Sequence, residues 1–333
     1  MPSTDKRAPA PVVELASTQR QELLYWLKLD RALETRLANM LRQGKVPGGL
    51  YRGLGQEAIS VGSAYALGPG DWFAPVIRNI GTCLVRGIEP RLIMSQHMGR
   101  SLPAGGRDTG THLGFLDKGM VSTISPLGGL VSVMAGVALG FKMRGERKVA
   151  LTYSGDGQTS TGSWHEGVNF AAAQTLPFVL IVENNGWAYS TPVKRQTRLT
   201  DLADRARAYG IPGVVVDGND VEAVHAVTRQ AIERAREGGG PTMIEAKTFR
   251  RLGHSEHDDP RRYVPAEDFA RWEKNDPIDR YEKRLIEEGV TTREGIASLD
   301  ARIEVELDQA QAWAEAVPLP GPETLTRGIY AEG

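Results

Sequence analysis

The segment Gly155-Asp156-Gly157, followed by the pair Asn184-Asn185, constrains this chain more than any other feature. Each polar segment comes after an apolar run, residues 148–153 and 177–182, of the kind that forms buried parallel strands. Residues 161–173 between them are small and apolar, which predicts a crossover helix packed on a sheet. Both polar segments are therefore expected at the carboxyl edge of a parallel sheet, where open α/β proteins bind ligands.

The chemistry of these two segments indicates a magnesium-bound diphosphate. Asp156 offers a carboxylate and Asn185 an amide oxygen, and both are hard ligands suited to Mg²⁺, which fills the rest of its shell with phosphate oxygens and water. The glycines around Asp156 let a diphosphate approach the backbone, and the following helix N-terminus favours its negative charge. An ordinary Asp-Gly turn is the alternative, but it does not account for the Asn-Asn pair after the next strand.

The overall composition excludes several other classes of protein. The 333 residues include 40 basic and 41 acidic side chains, so nothing indicates a nucleic-acid or membrane surface as partner. Cys83 is the one cysteine; it cannot form an internal disulfide, and its apolar surroundings predict a buried thiol. Because no apolar run is long enough to span a bilayer and no targeting segment is recognisable, we expect a soluble, cytoplasmic protein.

Further along the chain, helices and strands continue to alternate, which predicts an α/β fold with a doubly wound parallel sheet. We expect three parts: a disordered tail at residues 1–16, the α/β domain at 17–265 and a helical C-terminal extension at 266–333. A glycine-rich loop is expected at residues 99–120. The predicted elements around these parts are helices at 17–43, 56–66, 125–143, 200–209 and 220–237, and strands at 214–216 and 242–246.

Gly155-Asp156-Gly157 and the later Asn184-Asn185 resemble the thiamin diphosphate motif, and other segments extend the resemblance. From about residue 20 to residue 290 the chain resembles the E1 component α subunits of 2-oxo acid dehydrogenase complexes, which share the thiamin diphosphate-binding fold. The further motifs, in family order, are Gly55-Gln56-Glu57-Ala58, Gly253-His254-Ser255 and Asp258-Asp259-Pro260.

The resemblance implies a cofactor, thiamin diphosphate, and a metal ion, Mg²⁺, with specific ligands. The side chains of Asp156 and Asn185 and the backbone carbonyl of Trp187 would bind the Mg²⁺. The backbone of Gly157 and Gln158 would contact the diphosphate.

The resemblance also implies roles for four other side chains. Arg78 would pair with the diphosphate, to which its planar guanidinium is suited. Ser125 and Leu127 would contact the aminopyrimidine ring, and His254 would be the active-site histidine. Taken alone, Arg78 could be a surface ion-pair residue and His254 a loop histidine. His112 also matches a family histidine, and its role stays open.

Some positions depart from the family pattern. Tyr51 stands where pyruvate-type subunits have a histidine, and Ile77 stands where a tyrosine is common. The missing histidine favours a branched-chain type of pocket. Ser255 matches a position that is phosphorylated in some relatives, and the sequence leaves its modification open. The arginine pairs at 250–251 and 261–262 are interpreted as mostly solvated charge.

The activity implied is decarboxylation of a 2-oxo acid through thiamin diphosphate, with transfer of the acyl group to a lipoyl-bearing E2 partner. In this family the glutamate that activates the cofactor belongs to a separate β subunit, so the resemblance implies an α2β2 heterotetramer with the cofactor between the chains. A branched-chain 2-oxo acid is the expected substrate. Pyruvate or acetoin dehydrogenase E1, a transketolase-like half-enzyme and a non-catalytic subunit are the alternatives.

Overall fold

The computed structural model describes residues 14–100 and 110–326, and it has the predicted α/β architecture. Its strands are β1 (Trp72–Ala74), β2 (Ala150–Gly155), β3 (Phe178–Asn184), β4 (Trp187–Ala188), β5 (Thr191–Pro192), β6 (Gly213–Asp217) and β7 (Thr242–Lys247). Its α-helices are α1 (Ser17–Arg42), α2 (Glu57–Tyr65), α3 (Ile80–Val85), α4 (Pro90–His97), α5 (Gly129–Met143), α6 (Gly162–Ala173), α7 (Val193–Gln196), α8 (Val221–Arg236), α9 (Ala266–Glu273), α10 (Pro277–Glu287) and α11 (Arg293–Ala316).

The main sheet is parallel and has the strand order β1-β2-β3-β7-β6. Its central strands are buried on both faces, which explains why their sequences are continuous apolar runs. Successive residues of β3 pack into opposite hydrophobic clusters. Val179 and Ile181 join the cluster that contains α2, α3 and α8, whereas Phe178 and Leu180 join the cluster that contains α5 and α6. Helices therefore cover both faces, and the predicted doubly wound sheet is confirmed.

The glycine-rich character of α5 and α6 allows these two helices to pack closely. A Cβ atom added to Gly167 of α6 would lie 2.7 Å from the backbone nitrogen of Ser132 in α5. Trp164 in the first turn of α6 is fully buried, and its Nε1 donates a hydrogen bond to Ser154 Oγ in β2 at 3.1 Å. This packing fixes the turn between β2 and α6, which carries Asp156.

The terminal helices pack on the α/β layers, while the proposed three-part division of the chain stays a prediction. Residues 1–13 of the expected tail lie outside the described residues, and Leu15 is buried against α1 and α10. Ile303 and Leu307 of α11 belong to the same cluster as residues of β2 and β3. The C-terminal helix thus shares the main core.

Several local expectations can be compared with the structure. Residues Leu202–Tyr209 form a 3-10 helix within the helix expected at 200–209, and the helix expected from residue 125 begins at Gly129. Cys83 is buried as predicted, and burial raises the pKa of its thiol to about 12. No helix of the described residues has the length and apolar character needed to cross a membrane. Of the expected loop at 99–120, residues 101–109 lie outside the described part.

Candidate active site

The candidate site is built from the loops that leave four neighbouring strands. Arg78 follows β1, Asp156 follows β2, Asn185 follows β3, and His254 follows β7. These strands are adjacent and parallel in the sheet, so their carboxyl ends meet at one edge. The predicted residues of the GDG, Asn-Asn and Gly-His-Ser motifs are thereby brought to the same edge, together with Arg78.

Asp156 begins a 3-10 helix, Asp156–Ser160, directly after β2. Its side chain is buried, and burial raises the pKa of the carboxyl group to about 6, against the opposing effect of a hydrogen bond from Gln196. Gln196 Nε2 donates that bond to Asp156 Oδ2 at 2.7 Å. Gln196 could not be recognised from the sequence, because a single glutamine forty positions along the chain forms no motif.

The two asparagines of the pair have different environments. Asn184 Nδ2 donates to Glu245 Oε1 at 2.7 Å, which ties the end of β3 to β7. Asn185 Nδ2 donates to Gln56 Oε1 at 3.1 Å, and Asn185 Oδ1 accepts a 3.3 Å bond from the backbone nitrogen of Trp187. The first asparagine is therefore structural, and the amide of the second is oriented by Gln56 and by the backbone of Trp187.

Arg250 corrects one interpretation of the sequence. Its side chain is 1% exposed, so it is not solvated charge, whereas Arg261 and Arg262 are exposed as expected. Arg250 Nη1 donates to the carbonyl oxygen of Trp187 at 3.2 Å. It also donates from Nη2 to Tyr263 Oη at 2.7 Å, and so it joins the Trp187 loop to the segment after His254.

Arg78 and His254 are in direct contact. Arg78 Nη2 donates to the carbonyl oxygen of His254 at 2.6 Å and lies 3.4 Å from its Nδ1, while Nη1 donates to the carbonyl oxygen of Arg52 at 2.8 Å. Burial, followed by the charge of Arg250, lowers the pKa of Arg78 to about 10. No carboxylate of the described residues forms an ion pair with Arg78, so its buried charge lacks a direct counter-ion.

A buried network fixes the turn that carries Arg78. Asn79 Nδ2 donates to Glu183 Oε1 at 2.5 Å, and Asn79 Oδ1 accepts from the backbone nitrogen of Val76 at 2.9 Å. Glu183 lies in β3, where it is paired in register with Gly155. The turn after β1 is thus attached to the strand that delivers Asn185.

Burial, with the charges of Arg78 and Arg250, lowers the pKa of His254 to about 4. An unfolded histidine has a pKa near 6.5, so between about pH 6.5 and pH 4 the unfolded state binds a proton that the folded state does not. Stability should therefore fall as the pH is lowered through this window. We expect the variant His254→Gln to show a smaller loss of thermal stability between pH 7 and pH 5 than the original protein. An equal loss in both proteins would contradict the assigned pKa.

The segment assigned to the aminopyrimidine lies at the surface. Ser125 is exposed, and its Oγ lies 3.0 Å from Nε2 of His112. The side chain of Leu127 is 62% exposed. The next residue, Gly128, donates its backbone N–H to Gln158 Oε1 at 3.3 Å, which connects this segment to the GDG turn.

Gly157 lies against the hairpin formed by β4 and β5. A Cβ atom added to Gly157 would lie 2.5 Å from Cβ of Ala188 in this hairpin. Gly155 offers a matched control because a Cβ added to it meets nothing within 4 Å. We expect Gly157→Ala to displace the hairpin and to destabilise the protein by about 1–3 kcal/mol, as overpacking does. Gly155→Ala should unfold at nearly the original temperature. Equal unfolding temperatures for the two variants would show that this close approach is unimportant.

The residues at this edge fit a magnesium-bound diphosphate. Among the described residues no group of three or more His, Cys, Asp or Glu side chains could hold a metal. A set with one carboxylate, Asp156, needs oxygens from the ligand itself to complete a Mg²⁺ shell. Two buried amide atoms, Gln56 Nε2 and Gln196 Oε1, have no hydrogen-bond partner in the described structure. With the buried charge of Arg78, these atoms indicate an anionic ligand and its waters.

Comparisons with known proteins identify the family of this chain. The model of the dehydrogenase E1 component family matches residues 27–323. The alpha subunit of acetoin:2,6-dichlorophenolindophenol oxidoreductase from Cupriavidus necator is 36% identical over 306 residues, 91% of this chain and 92% of the relative. The alpha subunit of 3-methyl-2-oxobutanoate dehydrogenase from Mycobacterium tuberculosis is 39% identical over 321 residues, which cover 94% of this chain and 84% of the relative.

A third relative is the pyruvate dehydrogenase E1 component subunit alpha of Staphylococcus aureus, 38% identical over 288 residues, which cover 84% of this chain and 73% of the relative. The family model and these relatives each span most of the chain. The chain therefore belongs to the dehydrogenase E1 component family of thiamin diphosphate-dependent oxidoreductases, and its recognition as the alpha subunit of a 2-oxo acid dehydrogenase E1 is confirmed.

Proposed function

We propose that this chain supplies the Mg²⁺-diphosphate half of an active site that decarboxylates a 2-oxo acid and transfers the acyl group to a lipoyl-bearing E2. The observation that carries the proposal is the meeting of Arg78, Asp156, Asn185 and His254 at the carboxyl ends of adjacent parallel strands. Asp156, the Asn185 side chain and the Trp187 carbonyl would bind Mg²⁺. Of these three ligands, Asp156 alone carries a negative charge, and its side chain is buried.

The remaining residues have distinct proposed tasks. Thiamin diphosphate, when bound, supplies the nucleophilic carbon and the electron sink for decarboxylation. The backbone of Gly157 and Gln158 would contact its diphosphate. Arg78, which forms no ion pair with a carboxylate of the described residues, would supply positive charge to the diphosphate. The lowered pKa of His254, about 4, keeps its ring uncharged at neutral pH, and a neutral imidazole would offer one hydrogen-bond donor and one acceptor to the reacting group.

A second chain is proposed to complete the site. Ser125 and Leu127, assigned to the aminopyrimidine, are exposed, and an apolar surface next to a cofactor ring needs a cover. Val133 on the following helix is also exposed, at 45%. We assign this face to the β subunit that would carry the activating glutamate, in an α2β2 heterotetramer. The same reasoning leaves His112, beside Ser125, near the subunit boundary.

The proposed substrate is a branched-chain 2-oxo acid. Tyr51, which replaces the histidine of pyruvate-type subunits, packs edge-on against His254 with ring centroids 5.5 Å apart. Tyr51 would therefore lie beside the substrate if His254 is the active-site histidine. The three relatives differ in the substrates that their names state while being similarly identical to this chain, so identity alone does not separate the alternatives.

The proposed function is tested with the complex of this chain and its partner subunit, supplied with thiamin diphosphate and Mg²⁺. Reduction of a dye and release of CO2 would be followed with 3-methyl-2-oxobutanoate, pyruvate and acetoin. We expect the highest kcat/KM with 3-methyl-2-oxobutanoate. A preference for pyruvate would contradict the branched-chain proposal, and dye reduction with acetoin but without CO2 release would favour the acetoin alternative. Absence of turnover in a well-formed complex would support a non-catalytic subunit.

A further inference from the structure

Gln196 makes two hydrogen bonds that determine how its amide is oriented. Its Nε2 donates to Asp156 Oδ2 at 2.7 Å and to the carbonyl oxygen of Thr191 at 2.9 Å. Both partners are acceptors, so the amide nitrogen must face them and the amide oxygen must face away. The bond to Asp156 restricts the rotation of a carboxyl group that is buried and proposed to bind a metal.

The amide oxygen of Gln196 lacks a partner. Oε1 is buried and accepts no hydrogen bond in the described structure. It faces the GDG turn, 3.9 Å from the position that a Cβ on Gly157 would occupy. Leaving a buried acceptor unpaired costs free energy, so an oxygen held in this way calls for a donor that the described residues do not provide.

The chain conformation that places Gln196 is specific. After Asn185 the chain turns at Gly186, with φ 87°, and again at Tyr189, whose φ of 52° is unusual for a residue with a side chain. The β4–β5 hairpin then returns toward β2, and the backbone nitrogen of Val193 donates to the carbonyl oxygen of Gly186 at 3.1 Å. The short helix α7 therefore ends with Gln196 beside Asp156. A tyrosine backbone in the left-handed region is strained, and strain of this kind is often found near functional sites.

We propose that Gln196 is a positioning residue of the Mg²⁺ site, with its amide N–H holding Asp156 and its amide oxygen accepting a hydrogen bond from a water on the metal. The inference rests on the proposed function, since it requires Mg²⁺ at Asp156. Mg²⁺ keeps several waters when protein ligands are few, and a metal-bound water is a strong donor. Residues that orient metal ligands in this way contribute about 10–100-fold to metal affinity.

The test measures the binding of thiamin diphosphate at equilibrium, by calorimetry and without substrate, in the complex with the partner subunit. The Mg²⁺ concentration that gives half of maximal binding is determined for the original protein and for Gln196→Met and Gln196→Ala. We expect both variants to raise this concentration by at least about 10-fold. At saturating Mg²⁺ they should regain the original affinity for thiamin diphosphate. Gln174→Ala is the matched control, since Gln174 is exposed at the end of α6 and should leave the Mg²⁺ requirement unchanged.

The possible failures can be told apart. An unchanged Mg²⁺ requirement in both Gln196 variants would overturn the inference. Weaker cofactor binding at every Mg²⁺ concentration would also overturn it, because that result indicates a general structural role. Asp156→Ala is measured alongside: if this variant retains the original Mg²⁺ requirement, the proposed metal site is wrong, and the failure then lies with the proposed function.

Discussion

Replacing Asp156 by alanine is expected to cause the largest loss of function of any single change in this chain. Mg²⁺-dependent binding of thiamin diphosphate and turnover should each fall by roughly 10³-fold, equivalent to about 4 kcal/mol. Asp156 is the one carboxylate among the residues proposed as ligands, and the side chains hydrogen-bonded to it, the amide of Gln196 and the hydroxyl of Thr159, are uncharged. Without it, the metal would keep an amide oxygen and a carbonyl oxygen, which carry no formal charge to offset its own.

The Asp156→Ala experiment separates loss of the site from loss of the fold. Burial raises the pKa of Asp156 to about 6, so the ionised carboxylate is disfavoured in the cofactor-free protein. We therefore expect the variant to unfold near the original temperature when no cofactor is present. Asp308→Ala serves as the control, because Asp308 is 70% exposed in an ion pair with Arg36 and such pairs contribute little to stability. Near-normal turnover by Asp156→Ala would refute its role as a metal ligand.

Replacing Arg78 by alanine is expected to have the second-largest effect. Thiamin diphosphate should bind about 10²-fold more weakly, because charge-assisted hydrogen bonds are worth about 1.5–3 kcal/mol each and the guanidinium can make two of them. Arg78→Lys should recover only part of this loss, since an ammonium group keeps the charge but not the planar pair of donors. The dissociation constant of the cofactor, measured by calorimetry at saturating Mg²⁺, is the quantity to compare.

A control for Arg78 is available on the exposed surface of α8. Arg229 on α8 is half exposed and pairs with Glu233 four residues later, so Arg229→Ala should bind the cofactor normally. Removal of Arg78 also withdraws two hydrogen bonds to backbone carbonyls, those of Arg52 and His254. A drop in unfolding temperature with unchanged cofactor affinity would mean that Arg78 is a structural residue.

The strands and helices that carry the motifs could be predicted because their sequence patterns are local. The apolar runs at 148–153 and 177–182 correspond to β2 and β3 within two residues at each end, since both strands are buried on their two faces. By contrast, β1 has three residues, too few for a periodic pattern. The place of β7 between β3 and β6 depends on contacts between distant segments, which no local pattern records.

Site residues could be predicted where they belong to a sequence motif. They could not be predicted where their role depends on contacts between distant segments of the chain. Asp156 and Asn185 follow strands, so their common edge could be inferred from the chain order. Arg250 resembled solvated charge because it lies in a run of arginines, yet it is buried on the carbonyl oxygen of Trp187. Gln196 reaches Asp156 only because the β4–β5 hairpin turns back, and that turn depends on the unusual backbone of Tyr189.

The central claim is that this chain holds half of an active site that a second chain completes. The most direct measurement compares decarboxylation by this chain alone and by this chain co-expressed with its β partner, both with thiamin diphosphate and Mg²⁺. The exposure of Ser125 and Leu127 predicts turnover only when both chains are present. Turnover of a 2-oxo acid by this chain alone, at a rate similar to that of the complex, would contradict the claim.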